Sequence, residues 1–164
     1  MDAHIEDQKI LEAIYSVSDP EIPVLTVVDM GIIHKLEQRG QTVYLEIIPT
    51  YTGCPAMDTI AADISMALDK IGYHTELKQM LSPAWTTDMI SEEGRKKLEE
   101  YGIAPPLDAD KDKAVLLNGK RMVPCTNCGS TNTSMVSQFG STPCKALFKC
   151  EDCLEPFDYF KCLK

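Results

Sequence analysis

The chain has 164 residues, 44% of them hydrophobic, which is enough for one ordinary domain with a buried core and a small additional unit. A net charge of −9 argues against nucleic acid as a partner of the whole chain. The sequence has no apolar run long enough to span a membrane, and its acidic start, MDAHIEDQK, does not resemble a signal peptide, so we expect a cytoplasmic protein.

The N-terminal part of the sequence predicts a helix followed by an acidic loop. Apolar residues recur at helical spacing over 5–17, and Pro20 ends this pattern because a proline pushes the preceding residue out of the helical conformation. The loop contains Asp19 and Glu21, and Asp29 follows shortly after it. For these carboxylates, turn formation and capping are favoured over a functional role.

Three strands and a second helix are predicted next. The strand-like runs 32–37 and 43–48 are joined by a short segment containing Gly40, which is typical of an antiparallel hairpin. A helical pattern covers 55–71, and alternation over 74–80 predicts a third strand.

The stretch 50–60, which joins the second strand to this helix, contains the first candidate functional residue. Gly53 permits a tight turn, and Cys54 precedes Pro55, a residue suited to the first helical position. The free N–H groups and positive dipole of a helix start would lower the pKa of the Cys54 thiol and favour the thiolate, which attacks electrophiles and binds metals. The alternative is that Cys54 is a small buried apolar residue.

One tryptophan and a polar helix follow the third strand. Trp85 is expected to cover the edge of the core, with a partner surface as the second option. The segment 91–101, SEEGRKKLEEY, begins with a capping serine and two glutamates in its first turn, so it predicts a short helix.

A linker is predicted over 105–120, between domains at 1–104 and 121–164. The linker contains two prolines and alternating charges and has little to bury. The two parts of the chain also differ in net charge. Residues 1–112 contain 9 Lys/Arg against 21 Asp/Glu, whereas residues 113–164 contain 7 against 4.

The second domain contains two CxxC pairs with 21 residues between them. The four cysteines are Cys125, Cys128, Cys150 and Cys153. Seven cysteines in a cytoplasmic chain favour metal ligands or reactive thiols over disulfides. Two CxxC pairs complete a tetrahedral sulfur site, for which structural zinc is the preferred metal, although the same ligands would also hold an iron ion or an iron–sulfur cluster.

The residues between the pairs are consistent with a zinc ribbon. Strands are predicted over 134–139 and 145–149, and so small a unit would depend on the metal for its folding energy. Cys144 lies in a turn beside Lys145, which would lower the pKa of the thiol. Cys144 is therefore a candidate reactive thiol or transient metal ligand, and a packed cysteine is the equal alternative.

Ordered motifs in both domains resemble a known family. Those of the first domain are Asp19-Pro20-Glu21-Ile22-Pro23, Val28-Asp29-Met30-Gly31-Ile32 and Thr52-Gly53-Cys54-Pro55. With them, residues 5 to 105 resemble the domain of the SufT-type iron–sulfur assembly factors, which eukaryotic cytosolic iron–sulfur targeting factors share. The C-terminal motifs over 125–128, 139–147 and 150–161 narrow the resemblance to the PaaD family of bacterial phenylacetate degradation.

This resemblance implies both a fold and a role. The implied fold is α+β, a small mixed or antiparallel sheet with flanking helices, followed by a C-terminal four-cysteine zinc ribbon. The implied role is that of an accessory maturation factor, not an enzyme, which helps to place or repair the iron–sulfur centre in the reductase component of the phenylacetyl-CoA epoxidase. The residues implied for the site are Cys54, as the functional thiol and transient ligand of iron or a cluster, with Asp19, Glu21, Asp29, Thr52 and Gly53 near it.

Several alternatives to this role are retained. The acidic first domain and the separate ribbon would fit a structural or regulatory subunit of the multicomponent oxygenase equally well, whereas in a maturation factor the ribbon would dock the client. A thiol enzyme would need a base, and the sequence places none of its three histidines, His4, His34 and His74, beside Cys54. A ribbon that binds nucleic acid is disfavoured by the acidic first domain. A homodimer would supply a second Cys54.

Overall fold

The computed structural model of the chain describes residues 2–107 and 123–161. Its contacts divide the chain into two compact units, Met1–Trp85 and Thr86–Lys164. Residues 86–107 therefore group with the C-terminal cysteines in this division. Most of the predicted linker, from residue 108 to residue 120, lies outside the described residues, so the domains predicted at 1–104 and 121–164 stay a prediction.

The first unit contains a mixed sheet and two helices. Its elements are β1 (Asp2–His4), α1 (Gln8–Tyr15), β2 (Ile33–Arg39), β3 (Thr42–Ile47), α2 (Ala56–Asp69) and β4 (His74–Gln79). The strand order is β1-β2-β3-β4, with β2 and β3 antiparallel and the two outer pairs parallel. The expected α+β class with a small mixed sheet is thus confirmed.

The predicted hairpin is present as β2 and β3. Leu36 lies opposite Leu45, and both side chains are fully buried. Gly40 has φ 62°, a left-handed conformation that glycine adopts without steric cost in a tight turn. Alternate residues of β3 point into the core, so the hydrophobic pattern fixes the register of the pair.

Helix α1 is shorter than the predicted span of 5–17. Asp7 caps it, since the side chain of Asp7 accepts a hydrogen bond of 3.0 Å from the backbone N–H of Lys9. Val17 lies beyond the helix end and is still buried, which explains why it fits the apolar pattern. Strand β1 is not predicted, because three residues are too few for alternation to show.

Helix α2 connects β3 to β4, and because these strands are parallel, both end at the same edge of the sheet. The core lies between the sheet and the helices, where α1 and α2 contact each other and α2 contacts β4. Trp85 is only 3% exposed, and its indole N–H donates a 2.8 Å hydrogen bond to the carbonyl of Met30. The expectation that Trp85 covers the core is therefore confirmed.

The second unit contains a short helix and a four-stranded sheet. Its elements are a 3-10 turn (Thr87–Met89), α3 (Glu92–Glu100), β5 (Ile103–Ala104), β6 (Thr133–Ser137), β7 (Lys145–Cys150) and β8 (Pro156–Phe160), and the strand order is β5-β8-β7-β6. Helix α3 starts at the predicted Ser91 cap, whose side chain accepts a 2.9 Å hydrogen bond from the N–H of Gly94.

The core of this unit is small and aromatic. Phe148 of β7 packs against two residues of β8, with ring centroids 5.9 Å from Phe157 and 5.5 Å from Tyr159. Strands β6 and β7 are predicted, whereas β5 and β8 are not. Among the helices of the described residues, none has the length and apolar character required to span a bilayer.

Candidate functional site

Cys54 lies in the connection from β3 to α2, at the edge where the parallel strands β3 and β4 end. Ligands of open α/β sheets commonly bind at such carboxyl edges. The N–H of Cys54 donates to the carbonyl of Tyr51 at 3.3 Å, and Gly53 has φ 81°, the left-handed value required at the third position of a type II turn. Pro55 is predicted at the first helical position. In the structure it is the N-cap of α2, and the helix begins one residue later, at Ala56.

The half-buried thiol of Cys54 has a pKa above its ordinary value, and the prediction of a lowered pKa is therefore wrong. Burial is the largest cause, because it disfavours the charged thiolate. The expected effect of the helix start is present, since the backbone N–H of Ala56 lowers the pKa, but it is smaller than the effect of burial. Cys54 therefore rests as a neutral thiol at pH 7.

Two carboxylates lie close enough to Cys54 for their charges to raise its pKa further, and they belong to Glu21 and Asp19. Asp19 is 6% exposed, and its carboxylate accepts 2.8 Å hydrogen bonds from the N–H groups of Glu21 and Ile22. The structure thus brings together three of the residues predicted for this site. A negative field that disfavours a thiolate also favours a cation beside the sulfur.

The other predicted site residues have simpler surroundings. The carboxylate of Asp29 accepts hydrogen bonds from the N–H and hydroxyl of Thr26, at 3.0 and 2.9 Å, and the N–H of Asp29 donates to the same hydroxyl. These contacts are those of a loop cap, the structural alternative considered for this residue. Thr52 and Gly53 are exposed in the turn that leads to Cys54.

Tyr51 is a residue of the site that sequence reasoning did not identify. Its hydroxyl oxygen is buried, and the nearby phenol lowers the pKa of the Cys54 thiol, an effect smaller than that of burial. The signal was present in the sequence. A glycine at the third position favours a tight turn, in which the α-carbons of the first and fourth residues lie within about 7 Å of each other.

The second site is formed by the four cysteines of the CxxC pairs. The four sulfur atoms all lie within 4.8 Å of one another. The Sγ atoms of Cys125 and Cys153 are 3.6 Å apart, as are those of Cys128 and Cys150. A zinc ion bound tetrahedrally at about 2.3 Å from each sulfur requires sulfur–sulfur distances of about 3.8 Å. The donor set is therefore closed and fits structural zinc.

Each CxxC pair forms a knuckle, a tight turn around its sulfur atoms. Backbone N–H groups point at sulfur in both knuckles, from Asn127 to Cys125 at 3.4 Å and from Cys153 to Cys150 at 3.5 Å. The residue after each pair is left-handed, Gly129 with φ 73° and Leu154 with φ 64°. The two knuckles thus share a left-handed residue directly after the pair, and in the second a leucine occupies the position that favours glycine.

The pKa values of two thiols of this cluster, Cys128 and Cys153, are shifted in opposite directions. The backbone N–H of Glu155 is the largest cause that lowers the pKa of Cys153, to about 6. At Cys128 the N–H of Ser130 favours the thiolate, but the sulfur atoms of Cys153 and Cys150 outweigh it and raise the pKa to about 12. A bound cation would compensate the charge of all four thiolates, which is the chemistry of a metal centre.

Cys144 lies at the end of the β6–β7 connection. It is 5% exposed, and its sulfur is 3.0 Å from the hydroxyl of Thr142. Such burial is typical of the packed cysteine that the sequence left as the equal alternative. A reactive role for Cys144 stays a prediction.

Known protein families match both parts of the chain. Residues 7–76 match the family described as iron-sulfur cluster assembly protein, and residues 109–161 match the PaaD zinc beta ribbon domain. The fold and the two sites therefore define a protein with an iron–sulfur assembly-type domain and a four-cysteine zinc ribbon. A protein of Escherichia coli named as a subunit of 1,2-phenylacetyl-CoA epoxidase is 41% identical over 148 residues, which are 90% of this chain and 87% of that protein. The chain belongs to the PaaD family.

Two more distant proteins match part of the chain. A protein of Porphyromonas gingivalis, named Fe-S protein maturation auxiliary factor, is 33% identical over 96 residues, which are 56% of this chain and 90% of that protein. The crystal structure of a DUF59 domain from Bacillus anthracis covers 55% of this chain and 88% of its own, with a TM-score of 0.51 and 20% identity. At this identity the likeness concerns the fold alone.

Proposed function

We propose that this chain is an accessory factor that matures an iron–sulfur protein, and that its client is the reductase component of a phenylacetyl-CoA epoxidase. The names of the two relatives, one an epoxidase subunit and the other a maturation auxiliary factor, support these two halves of the proposal. The observation that carries it is the position of Cys54 beside Asp19 and Glu21 in the assembly-type domain.

The electrostatics of Cys54 favour a ligand role over a nucleophilic one. A thiol that burial and two carboxylates keep protonated is a weak nucleophile at neutral pH. The same two carboxylates would stabilise Fe²⁺, or an iron of a cluster, bound by the sulfur. One sulfur with neighbouring oxygen ligands is an incomplete ligand set for iron, so the cargo can be passed on. The zinc ribbon would dock the client, and Asp29, Thr52 and Gly53 would hold the loops around the site.

The test is the iron–sulfur content of the client. The reductase component is produced with the wild-type chain, with Cys54→Ser, or with Cys144→Ala as a cysteine control outside both sites. We expect full cluster occupancy with the wild type and the control, and a large loss with Cys54→Ser. The same Cys54→Ser protein should keep one zinc per chain. Normal cluster occupancy in the presence of Cys54→Ser would disprove the proposal.

The alternative function is that of a structural or regulatory subunit of the oxygenase, and the name of the Escherichia coli relative favours it. A subunit should purify in fixed stoichiometry with the catalytic components, and its loss should impair the epoxidase even when the reductase already has its cluster. A maturation factor should be dispensable once the cluster is in place. Adding the chain to epoxidase with a fully loaded reductase therefore separates the two functions.

A further inference from the structure

Strand β4 forms one open edge of the first sheet. It is the last strand in the order β1-β2-β3-β4, and β3 is its one strand partner among the described residues. Four of its six side chains are exposed, namely those of His74, Glu76, Lys78 and Gln79. An edge strand of this kind presents backbone N–H and C=O groups with which a further strand can pair.

The hydrogen bonds between β3 and β4 show which backbone groups of β4 face outward. The N–H of His74 donates to the carbonyl of Gln41 at 2.9 Å, and the N–H of Met80 donates to the carbonyl of Ile47 at 2.8 Å. Alternate residues of a strand direct their backbone groups to the same neighbour, so the even-numbered residues of β4 bond to β3. The odd-numbered residues direct their N–H and C=O groups to the open side. These are Thr75, Leu77 and Gln79.

The side chains of β4 alternate between the two faces of the sheet. Leu77 lies in register with the fully buried Leu45, so it shares the core face, where it is half-buried. Glu76 and Lys78 lie on the opposite face, both exposed and of opposite charge. The open edge therefore has an apolar residue near its centre and one charge of each sign on either side of it.

The charges of Glu76 and Lys78 decide how this edge can pair with a second copy of itself. A two-fold axis makes the two strands antiparallel. With the axis at Leu77, Glu76 of each copy lies opposite Lys78 of the other, in the non-hydrogen-bonded pairs where side chains are closest. With the axis at Glu76 or at Lys78, two like charges lie opposite each other. Charged residues commonly protect edge strands from pairing, and here they oppose the alternative registers but permit this one.

We propose that β4 is a self-association edge, along which two copies of the chain pair antiparallel about a two-fold axis at Leu77. The pairing exchanges backbone hydrogen bonds between Thr75 of one copy and Gln79 of the other, and between the two Leu77 residues. It joins two four-stranded sheets into one continuous sheet and removes an unpaired edge from each copy. Salt screens the long-range repulsion that a net charge of −9 creates, whereas charges at strand-pair distance are screened less.

This dimer does not depend on the proposed function. Cys54 follows the carboxyl end of β3, and antiparallel pairing places the carboxyl ends of the two copies at opposite ends of the joined edge. A strand of six residues spans roughly 20 Å, so the two thiols could not bind one metal ion. Each copy therefore keeps its own Cys54 site, and a test of the dimer does not decide the ligand role of Cys54.

The first test is the dimer dissociation constant of the zinc-loaded full chain, measured by analytical ultracentrifugation over a range of protein concentrations. Glu76→Lys places like charges opposite each other in two symmetric pairs, so the dissociation constant should rise about tenfold, and Lys78→Glu should have the same effect. The double variant Glu76→Lys/Lys78→Glu exchanges the two charges and restores both pairs, so it should dimerise within about twofold of the wild type. Glu12→Lys is the control, because it makes the same change of net charge as Glu76→Lys at an exposed position of α1.

The second test removes a backbone donor instead of a charge. Gln79→Pro deletes an N–H that points to the open side, and an edge strand tolerates proline at such a position. Each copy should therefore stay folded, which unchanged emission of the buried Trp85 verifies. The dimer should be lost, because both hydrogen bonds that Gln79 donates to Thr75 across the axis are removed.

A dimer that is weakened by each single charge reversal, restored by the double variant and lost in Gln79→Pro supports the inference. A wild-type chain that stays monomeric at every concentration overturns it, and the edge would then be available to a strand of another protein. A dimer that persists in Gln79→Pro, or that does not respond to the charges in this way, forms through another surface and overturns the inference as well.

Discussion

The charge of Glu21 has opposite effects on the proton and on a metal ion at Cys54. Its carboxylate raises the pKa of the thiol. Glu21→Gln removes this charge, so the pKa should fall and the thiolate fraction below the pKa should rise. We expect alkylation of Cys54 to become roughly twofold faster at pH 7.5, a small change because burial remains the larger cause and solvent screens the interaction.

The same Glu21→Gln variant should bind Co²⁺ more weakly at this site, because the cation loses a neighbouring negative charge. Glu76→Gln is the control, since it removes an exposed carboxylate from β4 without affecting either measurement. The substitution should therefore raise the reactivity of Cys54 as a nucleophile and lower its affinity for a metal ion. If alkylation and cobalt affinity change in the same direction, the electrostatic account of the site is wrong.

At the scale of the single element, the second zinc knuckle contains a backbone conformation that its sequence disfavours. Leu154 has φ 64°, and a non-glycine residue in this region costs about 1–2 kcal/mol. Its side chain is 61% exposed, so little packing would be lost on its removal. Leu154→Gly should therefore raise the free energy of unfolding of the zinc-loaded protein by about 1 kcal/mol, measured in urea.

The first knuckle supplies the control for this prediction. Gly129 has the equivalent conformation, with φ 73° and open space where a β-carbon would lie. Gly129→Ala should lower the free energy of unfolding by about 1 kcal/mol, through backbone strain and not through a clash. Equal stability of Leu154→Gly and wild type would show that the leucine side chain makes a compensating contribution.

Elements with a local signal could be predicted from the sequence, and elements that depend on distant partners could not. The hairpin of β2 and β3 is indicated by alternating apolar residues and by Gly40, and α2 is indicated by its apolar face. Strand β5 has only two residues and exists because Ile103 and Ala104 pair with β8, far along the chain. The alternation in β8, by contrast, was partly readable, since Phe157 and Tyr159 are buried alternate positions, although the adjacent Phe160 is buried as well.

The same distinction applies to the candidate sites: features with a local sequence signal could be predicted, and features set by distant residues could not. The zinc ligands could be predicted because CxxC spacing alone brings paired sulfur atoms to one ion. The pKa of Cys54 was predicted with the wrong sign because it depends on burial, which a helix start does not reveal. Asp19 and Glu21 are far from Cys54 in sequence, and only the family resemblance indicated in advance that their charges would reach its thiol.

At the scale of the whole molecule, the two units should differ in their need for metal. Structural zinc contributes roughly 10–16 kcal/mol of apparent free energy, which exceeds the net stability of an ordinary small domain. The first unit has its own sheet, helices and core. A strong chelator should therefore unfold the ribbon around Cys125 and Cys150 and leave the first unit folded.

The only tryptophan of the chain makes this difference measurable. Trp85 is buried in the first unit, so its emission reports on that unit. After chelation we expect loss of part of the far-ultraviolet circular dichroism with unchanged tryptophan emission, and recovery on adding zinc. Acid should release the zinc in the same way, because protons compete for the thiolates. A red shift of the emission on chelation would mean that the first unit depends on the zinc centre.

The neutral state of the Cys54 thiol also bears on how long this residue survives in an aerobic cell. Peroxides oxidise thiolates to sulfenic acid, and further oxidation to the sulfinic and sulfonic acids is irreversible. A cysteine held protonated by burial and by two neighbouring carboxylates reacts slowly with such oxidants. In the proposed ligand role, the acidic setting of Cys54 would thus keep the sulfur reduced between rounds of loading, and the arrival of a cation would be the event that displaces its proton.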